Sequence, residues 1–212
     1  MGQNSDKLLS VLKLQPVVPV LIVENAATAV PLARALVAGG LKAIEITMRT
    51  PAALEAVRLV AQEVEGAVSG AGTILNPAHF EAAVAAGAQF IVSPGTTREL
   101  LDEARGSDVP LLPGAATASE VMALRAEGYT VLKFFPAEQA GGAAYLKSLS
   151  SPLAGTVFCP TGGISLKNAR DYLSLPNVVC VGGSWVAPKE LVDAGDWAGI
   201  TKLAAEAAAL AG

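Results

Sequence analysis

Histidine and cysteine, which supply most transition-metal ligands and all disulfides, are nearly missing from this chain. The 212 residues include one histidine, His79, and two cysteines, Cys159 and Cys180. A zinc site with several imidazole ligands is excluded and no cysteine cluster replaces it, so we expect neither a metal ion nor a cofactor. Both cysteines lie in apolar, strand-like segments, which favours buried free thiols over a disulfide. His79 follows Asn76-Pro77, which predicts a place in the first turn of a helix rather than a catalytic role.

Charge is also sparse, and no stretch of the chain is strongly basic. Charged residues make up 16% of the sequence and the net charge is -4, so a nucleic-acid partner is not expected. Residues 1–13 lack the apolar core and cleavage site of a secretory signal and predict a short amphipathic helix instead. The apolar run at 17–23 is far too short to cross a bilayer, so no membrane partner is expected. We predict a single cytoplasmic domain over residues 1–212.

Strand-like segments alternate with helical patterns along the whole chain, at intervals of about 20 to 27 residues, as in repeated βα units. Eight strands are predicted, at 16–23, 43–48, 67–74, 90–95, 110–115, 131–136, 157–163 and 178–185. Helical patterns include 28–38, 52–64, 78–86, 98–105, 119–127 and 196–210, and Gly39, Gly87 and Gly128 follow three of them as predicted left-handed ends. The predicted fold is α/β, a (β/α)8 TIM barrel with a short N-terminal helix. A doubly wound open sheet is the alternative, disfavoured because no Gly-x-Gly-x-x-Gly or Walker motif is present.

One lysine, Lys133, stands inside a short apolar run that reads Thr-Val-Leu-Lys-Phe-Phe-Pro. A run of this kind predicts a strand buried on both faces, so the amine is expected to point inside. Burial makes the charged ammonium costly, and a neutral amine can attack a carbonyl to form an imine. Lys133 is therefore a candidate Schiff-base nucleophile. Taken alone, a lysine that reaches the surface or pairs with a carboxylate is the competing interpretation.

The second predicted strand carries polar residues on one face only. Its alternation places Glu45, Thr47 and Arg49 together, with Ile44 and Ile46 on the opposite face. A carboxylate and a guanidinium that point into a barrel near a buried lysine form either a structural ion-pair cluster or a proton shuttle with an anion clamp. The sequence of this strand leaves both interpretations open.

Glycine pairs and hydroxyl side chains follow three other predicted strands. Thr73 closes the glycine-rich third strand, and paired glycines with hydroxyl neighbours follow strands seven and eight, at Thr161, Gly162 and Gly163 and at Gly182, Gly183 and Ser184. Barrels often bind phosphate at these last two loops, because glycines allow a phosphate to approach the backbone N–H groups. Tight turns alone are the alternative. Together with the amine, the carboxylate and the arginine, these loops predict a metal-free aldolase for a phosphorylated keto acid.

The same segments resemble one known family. The motifs are Glu-Ile-Thr-Met-Arg at 45–49, Gly-Ala-Gly-Thr at 70–73, Leu-Lys-Phe-Phe-Pro-Ala-Glu at 132–138, Phe-Cys-Pro-Thr-Gly-Gly-Ile at 158–164 and Gly-Gly-Ser-Trp at 182–185. In combination they are similar to 2-dehydro-3-deoxy-6-phosphogluconate (KDPG) aldolases, from about residue 8 to the C-terminus. The resemblance implies a homotrimeric class I aldolase of the Entner-Doudoroff pathway, with a (β/α)8 barrel. Its products would be pyruvate and glyceraldehyde 3-phosphate, and many members also cleave 4-hydroxy-2-oxoglutarate (KHG).

The resemblance also implies roles for individual residues. Lys133 would form the imine and Glu45 would transfer protons, while Arg49 and Thr73 would hold the pyruvate carboxylate. The predicted phosphate contacts are Thr161, Gly162, Gly163, Gly182, Gly183 and Ser184, and the predicted substrate-binding set also includes Pro94 and Phe135. Many relatives have a serine where Ala116 stands and often a proline where Ala118 stands, so the loop after the fifth strand departs from the family pattern.

Two other functions are compatible with parts of the same pattern. A phosphosugar isomerase or lyase with the same scaffold would use Glu45 as a base and Lys133 only for its charge, and would form no imine that can be trapped. A barrel that only binds a phosphorylated metabolite would hold its ligand without turnover. Neither explains why an amine, a carboxylate and an arginine are expected in one cavity.

Overall fold

The computed structural model describes residues 4–210, in which parallel strands alternate with helices. The strands are β1 Val17–Leu21, β2 Ala43–Thr47, β3 Val68–Gly72, β4 Phe90–Val92, β5 Leu111–Leu112, β6 Gly114–Ala115, β7 Val131–Phe134, β8 Val157–Pro160 and β9 Val181–Gly183. The helices are α1 Ser5–Leu12, α2 Ala29–Ala38, α3 Ala53–Glu63, α4 Pro77–Ala85, α5 Arg98–Arg105, α6 Ala118–Ala126, α7 Gly142–Leu149, α8 Ala169–Leu173, α9 Lys189–Ala194 and α10 Trp197–Ala208. A 3-10 helix, Ala26–Thr28, precedes α2. None of the helices in this part of the chain is both long and apolar enough to cross a membrane.

The strands form two curled, parallel sheets. Six strands lie in the order β5-β4-β3-β2-β1-β9, and three lie in the order β6-β7-β8. Strands β5 and β6 belong to one predicted strand, which is interrupted at Pro113, a residue without a backbone N–H to donate. Two isolated parallel bridges, Phe158 with Val178 and Thr161 with Gly182, connect the other edges of the two sheets. The α/β class and the parallel strands are therefore confirmed, while the regular pairing is divided between two sheets.

Strand residues alternate between two apolar layers. The inner layer contains buried side chains from both sheets, including Val18, Ala43, Phe90, Val131 and Cys159, together with Leu8 and Leu12 of α1. The outer layer lies between the strands and the surrounding helices and includes Ile44 and Ile46. Because Ala43 and Val131 point inward, Glu45 and Lys133, two positions further along, also point inward. The alternation thus changes from apolar to charged towards the carboxyl ends of β2 and β7.

The buried side chain of Gln15 secures the amino-terminal end of the sheets. Its amide donates to the carbonyls of Val17 and Ala43 at 2.9 and 2.8 Å, and its oxygen accepts from the N–H of Ala43 at 2.9 Å. Nearby, Lys7 of α1 donates to the carbonyl of Asp108 at 2.9 Å. Helix α1 therefore covers this end of the inner layer. The side chain of Gln15 satisfies backbone N–H and C=O groups there that would otherwise be buried without a partner.

One predicted helix end was wrong. Gly87 and Gly128 have the expected positive φ, 96° and 90°, but Gly39 has a φ of -80° and the left-handed residue is Gly40, at 94°. A β carbon on Gly39 would overlap Ala204 and the carbonyl of Thr201 in α10. Gly39 therefore serves the close packing of α2 on α10, and the chain reverses one residue later.

The element positions otherwise follow the sequence pattern. Each of the eight predicted strand segments contains a strand, and in all but the segment at 110–115 the observed strand ends earlier than predicted. Asn76 caps α4 by accepting from the N–H of His79 at 2.9 Å, as expected. Cys159 and Cys180 are buried free thiols, also as expected. The predicted N-terminal helix is confirmed as α1, and residues 1–3 lie outside the described residues.

Candidate active site

The centre of the site is a buried ion pair between residues 88 positions apart. Lys133 Nζ lies 3.3 Å from Glu45 Oε1, and each side chain is 4% exposed. Lys133 comes from β7 of the smaller sheet and Glu45 from β2 of the larger sheet. Removing either partner would leave an uncompensated charge in the protein interior, which is strongly unfavourable. The structure therefore brings together the two residues that the sequence proposed as nucleophile and proton carrier.

Glycine on the neighbouring strand makes room for the carboxylate. In the pairing of β2 with β3, Thr47 is opposite Gly72 and Glu45 is opposite Gly70. A β carbon on residue 72 would overlap Glu45 Oε1, so only glycine admits the side chain in this position. Thr47, predicted on the same inward face as Glu45 and Arg49, does not join the site. Its hydroxyl instead donates to the carbonyl of Leu21 at 2.7 Å.

An aromatic ring borders the amine. Lys133 Nζ lies 5.3 Å from the centre of the Phe135 ring, a distance at which a cation is attracted by the ring face. Lys133 thus has one polar partner, Glu45, and one apolar wall.

Arg49 and Thr73 form a second polar pair after β2 and β3. Arg49 Nε donates to Thr73 Oγ1 at 2.9 Å. Thr73 has a φ of 58°, the only non-glycine residue among residues 4–210 with a positive φ. This conformation is unfavourable for a β-branched side chain, and strained residues of this kind cluster at functional sites. The guanidinium retains its NH1 and NH2 groups for an anion, since the protein contact uses only Nε.

The turn after β8, residues 161–163, is called here the glycine turn. Its carbonyl groups face away from the site, because those of Thr161, Gly162 and Gly163 accept from Ala137 N, Glu138 N and Asn168 Nδ2 at 2.9, 3.1 and 3.1 Å. Gly162 and Gly163 have φ values of 105° and 75°, which side chains rarely adopt. Within residues 4–210, their N–H groups have no hydrogen-bond acceptor. Two N–H donors at a glycine turn form a concave anion site.

A cavity of about 760 Å³ joins these parts. Eight of the predicted site residues line it, namely Arg49, Phe135, Thr161, Gly162, Gly163, Gly182, Gly183 and Ser184. Lys133 and Glu45 lie buried beside it, and Thr73 is connected to it through Arg49. Gly182 is required where it stands, since a β carbon there would overlap Thr161 Oγ1.

Pro94 does not line the larger cavity, and its role in substrate binding stays a prediction. It lines a separate cavity of about 320 Å³, which shares only Phe135 with the larger one. Its carbonyl packs against Gly114, where a β carbon would overlap it. Sequence reasoning also missed contributors to the larger cavity, among them Ile22, Lys189 and Val192. These residues belong to loops and to the short helix α9, which carry no periodic signal.

The described residues offer no arrangement for a metal ion: across 4–210, no three or more His, Cys, Asp or Glu side chains are grouped to bind one. The polar groups that converge are an amine, a carboxylate, a guanidinium and two backbone N–H donors. A nucleophilic amine beside a proton carrier and an anion site is the arrangement of an enzyme that acts covalently on carbonyl compounds.

Comparison with known proteins identifies the family. The family model described as "KDPG and KHG aldolase" matches residues 8–203. The 2-dehydro-3-deoxy-phosphogluconate aldolase of Dickeya dadantii is 52% identical over 92% of this chain and 91% of its own length. The KHG/KDPG aldolase of Escherichia coli K12 is 50% identical over 93% of both chains. The chain therefore belongs to the KDPG and KHG aldolase family.

Solved structures agree with this assignment. A KDPG aldolase of Legionella pneumophila, with pyruvate captured at low pH as a covalent carbinolamine intermediate, superimposes with a TM-score of 0.92 at 46% identity. That match covers 94% of this chain and 97% of the other. The 2-keto-3-deoxy-6-phosphogluconate aldolase of Zymomonas mobilis ZM4, determined with 3-phosphoglycerate, superimposes with a TM-score of 0.90 at 50% identity, over 95% and 94% of the two chains. The predicted family is thus confirmed.

Proposed function

We propose that this protein is a class I aldolase that cleaves KDPG to pyruvate and glyceraldehyde 3-phosphate, with Lys133 as the nucleophile. The observation that carries the proposal is the buried contact of Lys133 Nζ with Glu45 Oε1, at 3.3 Å. The carbinolamine in the Legionella relative supports the same chemistry. The activity places the enzyme in the Entner-Doudoroff pathway.

The reaction begins when the neutral amine of Lys133 attacks the C2 ketone and forms a carbinolamine. Glu45 supplies the proton that allows water to leave, which gives an iminium ion. The C4 hydroxyl then loses its proton to Glu45, the C3–C4 bond breaks, and its electron pair moves through C3 and C2 to the iminium nitrogen. Glyceraldehyde 3-phosphate is released and an enamine remains. Glu45 returns the proton to C3, and water hydrolyses the new iminium to free pyruvate and Lys133.

The substrate's charged ends are proposed to lie at the two anion sites. The carboxylate binds the NH1 and NH2 groups of Arg49, whose Nε is held by Thr73 at 2.9 Å. The phosphate binds at the glycine turn and at Gly182, Gly183 and Ser184, which line the same cavity. The 3-phosphoglycerate in the Zymomonas relative supports a binding site for a three-carbon phosphate. Phe135 packs beside the amine, and Pro94, which lines the smaller cavity on the other side of Phe135, remains a proposed substrate-binding residue.

A borohydride trap tests the covalent step. With pyruvate and borohydride, the wild-type protein is expected to gain one reduced pyruvyl adduct, located at Lys133 by peptide mass spectrometry. Lys133→Ala should form no adduct and lose cleavage of KDPG. Lys147→Ala, which changes another lysine on the outer helix α7, is the matched control and should behave as wild type. Wild-type turnover by Lys133→Ala would refute the proposal.

Cleavage of KHG is proposed as a second activity. The pyruvate half of KHG is the same as that of KDPG, so Lys133, Glu45 and Arg49 would act on it unchanged. The bifunctional name of the Escherichia coli relative supports this extension. Steady-state comparison of KDPG, its C4 epimer and KHG would establish the order of preference. Failure to cleave KHG would leave the KDPG activity standing and remove the second one.

Three further proposals concern the architecture and its setting. The two sheets are proposed to be one closed (β/α)8 barrel of a single domain, because β5 and β6 continue one strand and the bridges at Phe158 and Thr161 join β8 to the β9 side. The assembly is proposed to be a homotrimer, on family resemblance, which light scattering after gel filtration would test. The proposed location is the cytoplasm, where phosphorylated sugar acids are metabolised.

A further inference from the structure

Two glycines on the inner face of β3 are each covered by a side chain from a neighbouring strand. Gly70 and Gly72 face the inner layer, since Ala71 between them packs in the outer layer. A β carbon on Gly72 would overlap Glu45 of β2, and one on Gly70 would overlap the ring of Phe90 from β4. The inner face of β3 is therefore filled from both sides, by a carboxylate and by an aromatic ring.

The strand register places the Phe90 ring next to Glu45. Gly70 pairs with Phe90 on one side and with Glu45 on the other, so the three residues form one row across β4, β3 and β2. Paired strands are about 4.8 Å apart, and the outer end of the ring lies over Gly70, in the middle of that row. The carboxylate itself leans towards Gly72, two residues further along β3. The ring thus lies on the amino-terminal side of the carboxylate, away from the loops that line the cavity.

The ring fills space that water or the carboxylate would otherwise occupy. Phe90 is 0% exposed and belongs to the same inner layer as Val92 and Val131. An apolar ring offers the carboxylate no hydrogen bond, so Glu45 is kept against Lys133, at 3.3 Å. Proton transfer depends on such a fixed position, because a displacement of about 1 Å can lower a rate by about a hundredfold.

We propose that Phe90 is a positioning residue that supports Glu45 from its amino-terminal side and holds the carboxylate at the reaction centre. This inference rests on the proposed function, since it assigns proton transfer to Glu45. Without the outer part of the ring, the space over Gly70 is open to water or to the stem of Glu45, and the carboxylate is no longer fixed against Lys133. Phe90 therefore affects the proton-transfer steps and leaves binding at the two anion sites unchanged.

The variant Phe90→Leu removes the part of the ring that fills this space. The atoms that a β carbon on Gly70 would meet are Cζ, Cε1 and Cε2, all of which leucine lacks. The kcat for KDPG should fall about tenfold while KM changes less than about twofold, because the lost support acts on proton transfer and not on binding.

A second measurement follows the proton transfer by Glu45 without the aldehyde half of the substrate. In deuterium oxide, the iminium that pyruvate forms with Lys133 loses a C3 proton to Glu45, becomes the enamine and regains a deuteron. NMR of the pyruvate methyl group gives the rate of this exchange. Phe90→Leu should slow the exchange by about the same tenfold factor as cleavage.

A compensating variant and a matched control separate positioning from general loss of packing. Phe90→Leu with Gly70→Ala should recover most of the kcat and of the exchange rate, because the new methyl group occupies the vacated space. Phe80→Leu is the control, since Phe80 of α4 is 1% exposed and lies in the outer layer. It should lose stability comparably in urea unfolding and keep the wild-type kcat.

Gly70→Ala alone tests the same contact from the other side, which also serves where Phe90→Leu folds poorly. Its methyl group overlaps the ring, so the ring must shift and the exchange rate should fall. Wild-type kcat and exchange in Phe90→Leu, an equal loss in Phe80→Leu, or no recovery in the double variant would each overturn the positioning role. Absence of exchange in the wild-type protein would instead refute the aldolase mechanism itself.

Discussion

Glu45 and Gly72 meet across the β2–β3 pair, and the carboxylate fills the space that a side chain on residue 72 would need. The glycine therefore determines where the catalytic carboxylate can lie. Lys133 depends on the same relationship, because its amine contacts the Oε1 atom that faces the glycine.

Gly72→Ala is expected to displace Glu45 from Lys133. The added methyl group should destabilise the fold by about 1 to 3 kcal/mol, as overpacking of a core does. KDPG cleavage should fall by more than tenfold, about the effect of losing a general acid–base group in part. Gly106→Ala is the matched control, since a β carbon there lies 3.6 Å from the nearest atom. Urea unfolding and steady-state kinetics give the comparison, and unchanged kinetics in Gly72→Ala would contradict the role of the glycine.

Thr73→Asn is expected to separate stability from activity. Asparagine tolerates the left-handed conformation that Thr73 adopts at a φ of 58°, so the free energy of unfolding should rise by about 1 kcal/mol. The KM for KDPG should also rise, because asparagine lacks the hydroxyl that accepts the hydrogen bond from Arg49 Nε. Thr73→Ser, which keeps the hydroxyl, should retain more of the substrate affinity. A less stable Thr73→Asn protein with wild-type KM would show that the threonine carries no strain.

The capping box of α6, formed by Thr117 and Glu120, should make the free energy of unfolding fall at acidic pH. Glu120 accepts from the N–H groups of Ala116 and Thr117 at 2.7 and 2.9 Å, and the bond from Ala116 is the main cause that lowers the pKa of this carboxylate below 4.5. Its contribution is fully present above that unfolded value and is lost as the pH falls through the lower folded value. Glu120→Ala should cost about 1 kcal/mol at pH 7. The difference from wild type should shrink towards pH 3, and a constant difference in urea unfolding would contradict the assignment.

Tyr129 should contribute to the loss of stability at alkaline pH. Burial is the main cause that raises the pKa of this hydroxyl from 10.0 to about 12, and the side chain is 3% exposed. A group with a raised pKa in the folded state stabilises the fold below its unfolded pKa, and that contribution is lost as the pH rises through the folded value. The wild-type protein should therefore lose stability between about pH 10 and 12, and Tyr129→Phe should lose less over that window. Circular dichroism during thermal unfolding at pH 9, 10.5 and 11.5 measures the difference, and identical pH profiles would contradict it.

Much of the site followed from local patterns. Period-two alternation in β2 placed Glu45 on an inward face, and the apolar run around Lys133 predicted a buried strand with an inward amine. The order of the βα units placed both residues at the same end of the sheets. Their contact was therefore predictable, although its length was not. The family motifs, once they were matched, supplied the catalytic roles that alternation alone left open.

Other features depend on tertiary contacts that no local pattern records. The position of Gly39 is explained only by its contact with α10, and the close packing of Pro94 on Gly114 likewise joins residues far apart in the sequence. The sequence pattern does not predict helices α7, α8 and α9 individually. Helices α8 and α9 contain only five and six residues, and α7 begins directly after Gly141. The partnership of Glu138 with Tyr172 joins residues 34 positions apart and has no periodic signal.

Helix α1 and Gln15 close the amino-terminal end of the inner layer, so the buried amine is reached from the opposite end. The 760 Å³ cavity lies at that opposite end, and we expect substrate to enter and products to leave through it. In the proposed mechanism, the phosphorylated aldehyde leaves while the pyruvate half is still bonded to the amine of Lys133, and pyruvate is freed only when water hydrolyses the iminium. Pyruvate should consequently be the last product released and the one that binds the free enzyme.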